Sequence, residues 1–129
     1  MNAKITHVEY YLPERVVSNR DLVQDNPCWD FKLIEPKTGI YLRHIAGKDE
    51  SASDLAVRAA EQLFEKHDID RGSIDALLFC TQSPDYALPT TACVIQARLK
   101  LPASTASLDF NLGCSGYIYG LALAGSMVS

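Results

Sequence analysis

The run Ala76-Leu77-Leu78-Phe79-Cys80 constrains this chain more than any other stretch. It does not alternate between apolar and polar. A strand of that kind is expected to be buried on both faces, as in a parallel sheet covered by helices. Residues 74–81 are therefore read as a strand, and residues 105–110 as its successor. Between them, Pro89 opens a helix over residues 90–99, with Ala92, Ile95, Ala97 and Leu99 available for burial. Lys100-Leu101-Pro102 ends it. Strands alternating with helices imply a layered α/β fold with right-handed crossovers.

The rest of the chain fits that plan. Residues 5–12 carry Ile, Thr, Val and two Tyr and stop at Pro13, a strand pattern. Val16-Val17 adds a short extended piece. Ser18 or Asn19 caps a helix over residues 20–24, which Asp25-Asn26-Pro27 ends. Residues 28–47 read as mostly irregular. Ser51 or Ser53 caps the next helix, with Asp54 well placed for its dipole. Leu55, Ala59 and Leu63 follow one another at four-residue spacing, with Ala56, Ala60 and Phe64 alongside, which makes one broad apolar face. That helix fades at His67-Asp68, and residues 70–73 form a turn. Residues 117–128 have no polar face and read as a helix buried on all sides. In 129 residues there are few elements to cover it, so the chain reads as part of something larger.

Sites in such sheets lie beyond the carboxyl ends of the strands. Two segments fall there, the loop of residues 83–88 and the turn Gly113-Cys114-Ser115-Gly116, and a shared pocket is expected. The glycines would permit a positive φ or a close approach. A cysteine at a helix N-terminus meets unpaired N–H groups and the positive end of the helix dipole. Both favour the nucleophilic thiolate. The competing reading of Cys114 is a small buried cysteine that fills space. Trp29, with Lys37 and Arg43 further along its loop, has the chemistry to stack a base and hold phosphates. It has equally the chemistry of an aromatic anchor pinning the loop to the core.

Composition excludes several classes. The net charge of −4 gives no support to nucleic-acid binding. The four cysteines, Cys28, Cys80, Cys93 and Cys114, form no CxxC pair and no zinc spacing, so no metal is expected. Cys80 and Cys93 fall in apolar or helical runs and read as reduced core thiols, which suits a cytoplasmic protein. No apolar signal core and no membrane-length apolar run is present.

Four stretches in register resemble the β-ketoacyl-acyl carrier protein synthase III family of the thiolase superfamily. They are Ile5-Thr6-His7-Val8-Glu9-Tyr10-Tyr11-Leu12-Pro13, Thr38-Gly39-Ile40 with Arg43-His44-Ile45-Ala46, Leu88-Pro89-Thr90-Thr91-Ala92-Cys93-Val94-Ile95-Gln96, and Asn111-Leu112-Gly113-Cys114-Ser115-Gly116-Tyr117. The resemblance implies a thiolase-like α/β fold of two similar halves layered α-β-α-β-α. Residues 1–129 would be about the first half, a half-domain cut short of its last strands. It implies that Cys114 takes an acyl group from acyl-CoA as a thioester, which is condensed decarboxylatively with malonyl-acyl carrier protein to start a fatty acid. No cofactor is implied beyond these substrates, and a homodimer is. The family's catalytic His and Asn lie in the second half, and none of His7, His44 or His67 stands in a matching position.

Trp29 resembles the residue that stacks on the CoA adenine, with Arg43 nearby. Leu88 stands where many members carry Phe, a side chain that reaches into the partner subunit's acyl pocket. The alternative for Leu88 is that it only packs its loop. The chain departs from familiar bacterial members in the extra Leu33-Ile34-Glu35-Pro36. Two other functions fit the same resemblance, namely a synthase-III-like acyltransferase of secondary metabolism and a thiolase-fold interaction domain without chemistry.

Overall fold

The computed structural model describes residues 3–128, with the side chains of Phe31, Leu33 and Ile34 outside it. The chain divides into two compact units, Leu12–Glu50 and Met1–Tyr11 with Ser51–Ser129.

In the smaller unit, strand β1 (Val16–Ser18) leads straight into helix α1 (Asn19–Asp25). Ser18 caps α1 in a reciprocal box with Asp21, and Asn26 closes it. The segment expected to be irregular contains helix α2 (Phe31–Thr38) and strand β2 (Leu42–His44). The helix forms because Asp30 accepts from the Lys32 N–H at one end and Gly39 adopts φ 67° at the other. Pro36 masked it in the sequence, yet costs only one intrahelical bond there. Strand β2 pairs antiparallel with β1, Val17 opposite Arg43.

The larger unit holds the core. Helix α3 (Ala52–His67) is followed by a 3-10 turn at Arg71–Ser73, strand β3 (Ala76–Cys80), helix α4 (Thr91–Arg98), strand β4 (Ala106–Phe110) and helix α5 (Gly116–Met127). Strands β3 and β4 pair in parallel, from Ala76 opposite Ala106 to Cys80 opposite Phe110. Phe64, Ile95, Leu99 and Leu101 form the buried cluster, with Ala56, Val57, Ala60, Leu77 and Phe79 packed on it. Arg71 stitches its edge. Its guanidinium pairs with Glu61, lies 4.8 Å over the Phe64 ring and donates to the Leu99 carbonyl at 2.8 Å. No helix among the described residues is long and apolar enough to cross a membrane.

Several expectations are corrected. Residues 5–12 form no strand, because no strand among the described residues offers them a ladder. Alternate side chains of this segment instead fasten to α3. Glu9 binds Lys66 at 2.7 Å, Tyr11 meets Arg58, and the His7 ring lies 4.3 Å from that of His67. On α4 the buried residues are Thr91, Ala92 and Ile95, with the C-cap Leu99 buried below them, so that Ala92, Ile95 and Leu99 follow three- and four-residue steps down one face. Ala97 and Cys93 therefore fall on the exposed face. Cys80 is the last residue of β3 and is exposed as well, so neither is a core thiol. β3 is half-buried up to Phe79 rather than sealed on both faces. Helix α5 is exposed along most of its length, Tyr117, Ile118 and Tyr119 each by more than 60%. Its composition, apolar but for Ser126, has too few elements in this chain to cover it.

Ser51 and Asp54 form the capping box of α3, and Arg98 Nη2 reaches the same carboxylate at 2.7 Å. The Ser51 N–H and hydroxyl, then Arg98, hold the Asp54 carboxyl down at about 2, against an ordinary 3.8. A depressed carboxyl stabilises the fold above its unfolded pKa and loses that contribution as pH falls towards the folded value. Stability is thus expected to drop between about pH 4 and pH 2, and Asp54→Asn to flatten that limb. Urea unfolding at stepped acid pH measures it, and an unchanged limb in Asp54→Asn would refute the assignment.

Candidate active site

The carboxyl ends of β3 and β4 carry the chemistry. The ladder runs one step past β3, where the Thr81 N–H donates to the Phe110 carbonyl at 3.1 Å. Beyond β4 the backbone folds over on itself, with the Gly116 N–H donating to the Gly113 carbonyl at 2.8 Å. Cys114 is exposed on this turn, two residues ahead of α5. Ser115 occupies the N-cap position in a helical conformation and its side chain makes no capping bond. α1 and α3 close their N-termini with capping boxes, whereas at α5 only the Gly116 N–H is taken, by the Gly113 carbonyl, and no side chain caps the N–H groups that follow. An acyl oxygen or an anion brought to Cys114 would meet those donors.

Gly116 serves close approach, Gly113 has only ordinary contact with Gln82, and neither takes an unusual dihedral. Gly39 is the one glycine at positive φ among the described residues, so the positive-φ expectation for Gly113 and Gly116 is corrected. A Cβ on Gly116 would overlap the Cys80 sulfur. That sulfur also lies 3.6 Å from the Leu112 carbonyl oxygen, so Cys80 braces both ends of the turn that carries Cys114.

Leu88 sits in the loop after β3 and is 83% exposed. The loop and the cysteine turn thus share the carboxyl side of the sheet. A cavity of about 800 Å³ lies elsewhere, between the start of β3 at Ala76 and the end of α5 at Met127.

Sequence reasoning missed two aspartates here. Asp109 accepts from the Thr91 N–H at 2.7 Å and the Ala92 N–H at 2.5 Å, capping α4 from β4. A charged residue inside a buried strand needs a partner, and that signal was readable. Asp85 accepts from Ser51 Oγ and the Ser53 N–H, a link across more than thirty residues that no local pattern announces.

Trp29 and Arg43 belong to the smaller unit. Trp29 is half exposed and lines a cavity of about 430 Å³ with Asn19, Arg20 and Lys32. Arg43 does not line it. Its guanidinium donates to the buried Asn19, whose amide in turn reaches the Ile40 carbonyl at 3.0 Å and Glu35 at 2.5 Å. Glu35 comes from the extra Leu33-Ile34-Glu35-Pro36, so that segment is tied into the unit by a side chain. The side chains of Leu33 and Ile34 lie outside the described residues.

No protein-family model matches the chain. Individual proteins do. A β-ketoacyl-acyl carrier protein synthase III of Methylococcus capsulatus is 41% identical over 119 residues, 92% of this chain and 36% of that protein. One from Xylella fastidiosa is 39% identical over 127 residues, 98% of this chain and 39% of that protein. A crystal structure of a 3-oxoacyl-(acyl carrier protein) synthase from Burkholderia xenovorans superposes with a TM-score of 0.83 at 39% identity, covering 91% of this chain and 34% of that one.

By sequence and by fold the chain is homologous to part of β-ketoacyl-acyl carrier protein synthase III. Its architecture is the thiolase-like α/β arrangement of these synthases, as the sequence implies. The chain spans a little over a third of the length of the curated synthases it matches.

Proposed function

We propose that this chain supplies the nucleophile-bearing part of a condensing acyltransferase of fatty acid synthesis. The Cys114 thiol gives up its proton and its sulfur attacks the carbonyl of an acyl-CoA, the acyl–sulfur bond to CoA breaks, and CoA takes up a proton in exchange and leaves as its thiol. Malonyl-acyl carrier protein then loses carbon dioxide, and the resulting enolate attacks the Cys114 thioester. A β-ketoacyl chain forms on the carrier and Cys114 is released. The observation that carries this reading is the exposed Cys114 beside the uncapped N-terminus of α5.

Trp29, with Arg20 and Lys32 around its cavity, is assigned the nucleotide end of CoA. Arg43 acts behind them, by fixing Asn19, which lines the same cavity. Leu88 is assigned to the acyl pocket. The substrates acyl-CoA and malonyl-acyl carrier protein, and the absence of any further cofactor, belong to this proposal. So do a homodimer and a cytoplasmic location. The groups that complete the condensation are expected outside this chain.

All four cysteines are exposed, so modification rates rank their nucleophilicity rather than their access. Brief iodoacetamide treatment followed by mass mapping is expected to label Cys114 about 10-fold faster than Cys28, Cys80 or Cys93. Incubation with an acyl-CoA is expected to add one acyl mass, lost in Cys114→Ala. Equal labelling of all four thiols, or acylation that survives Cys114→Ala, would sink the assignment.

A further inference from the structure

The loop between β3 and α4 is held at both ends by one continuous polar chain. The Asp85 carboxylate accepts from Ser51 Oγ at 3.0 Å and from the Ser53 N–H at 3.2 Å, at the start of α3. The Asp85 N–H donates to Thr91 Oγ1 at 3.1 Å. Thr91 in turn donates its own N–H to Asp109 of β4. Thr91 is fully buried and Ser53 is 1% exposed, while Asp85 and Ser51 are half-buried, so the chain leads from the loop into the interior, where hydrogen bonds are strong and unmet ones costly. Between the two anchors the loop projects into solvent, with Tyr86 58% and Leu88 83% exposed.

Helix α3 does not need Asp85. Ser51 and Asp54 already form its capping box. What the Asp85 carboxylate adds is the restriction of its own loop. Residues 86–90 are pinned at Asp85 on one side and at Thr91 on the other, and a short span with fixed ends has few conformations left.

We propose that Asp85 is a positioning residue that fixes the loop tip at Tyr86 and Leu88 and thereby sets which acyl chain lengths are accepted in the acyl pocket that Leu88 enters, which by the family resemblance is the partner subunit's. The inference rests on the proposed acylation of Cys114 and on the assignment of Leu88 to the acyl pocket. Asp85 touches no substrate in this scheme and works through Leu88, three residues on.

The test is kcat/KM for Cys114 acylation by acetyl-, butyryl- and octanoyl-CoA in the full-length protein. It compares wild type, Asp85→Ala, Asp85→Asn, Leu88→Phe and the Asp85→Ala/Leu88→Phe pair. Asp85→Ala is expected to change the octanoyl-to-acetyl ratio by about 3-fold or more, and Asp85→Asn, which keeps an acceptor oxygen and caps well, by less. The effect of Leu88→Phe on that ratio is expected to shrink in the Asp85→Ala background, the signature of coupled residues. A purely structural role would lower all three substrates by one common factor, and that result overturns the proposal. If Asp85→Ala does not fold, Thr91→Val decides. It removes the hydroxyl acceptor at nearly constant volume and is expected to shift the same ratio, and an unchanged ratio again overturns the proposal. A wild type whose Cys114 stays unmodified by every acyl-CoA overturns the underlying acylation reading and this inference with it. That outcome is told apart because Cys114 then keeps its free-thiol mass in all variants.

Discussion

Ile95→Ala is expected to cost about 2–5 kcal/mol of folding stability in the larger unit. Ile95 is 1% exposed and stands between Phe64, Leu99 and Leu101. Truncation removes three carbons and leaves a void that fixed secondary structure on several sides cannot close. The core has few other members, so no neighbouring cluster shares the loss. The natural control is Leu88→Ala, on a side chain 83% exposed, which is expected to stay within about 0.5 kcal/mol of wild type. Urea unfolding followed by far-UV circular dichroism measures both. Tryptophan fluorescence is the wrong probe, since the one Trp of the chain, Trp29, lies in the smaller unit. An Ile95→Ala midpoint equal to that of Leu88→Ala would mean the buried cluster is not the source of stability.

Gly116→Ala is expected to destabilise the chain by about 1–3 kcal/mol, and removal of the Cys80 sulfur to rescue it. The new methyl group would overlap Cys80 Sγ, while the next neighbour, Leu112 Cβ, stands at an ordinary 3.4 Å. The sulfur must swing away and give up its contact with the Leu112 carbonyl, which loosens the turn that carries Cys114. In a Cys80→Ala background the obstacle is gone. Gly116 then sits in the first turn of α5 at an ordinary φ, where alanine is the better helix former by about 0.5–1 kcal/mol. The double variant is therefore expected to match or exceed Cys80→Ala alone, so the cycle closes with a large favourable coupling. Iodoacetamide labelling of Cys114 should follow the same pattern, altered in Gly116→Ala and restored in the pair. Additive losses would show that the overlap is relieved elsewhere.

How much of this was legible in the residues depended on the range of the interaction. Ser18 and Ser51 were readable as caps because each reaches an N–H three residues on, which any sequence window contains. The parallel pair β3 and β4 was readable too, since an unalternating apolar run followed by a helix and a second strand leaves little other choice. Helix α2 was hidden by Pro36, a residue that usually forbids what Asp30 and Gly39 here permit. Cys93 and Ala97 were placed by residue type, whereas their exposure follows from the phase of α4 against the core.

The caps at Ser18 and Ser51, the alternation of β3, α4 and β4, and the turn bearing Cys114 follow from residues within about four positions of one another, and the amino-acid string carries them. The pairing of Asp85 with Ser53, the capping of α4 by Asp109, the contact of Cys80 with Gly116 and the attachment of Glu9 to Lys66 join positions far apart in the chain. Those contacts exist only once the backbone has brought distant segments together, because a hydrogen bond or a van der Waals contact is decided by a few ångströms of space and not by sequence separation. Helix α5 makes the same division within one element. Its helicity was written in its residues, and its exposure was settled by what the rest of the chain had left to lay against it.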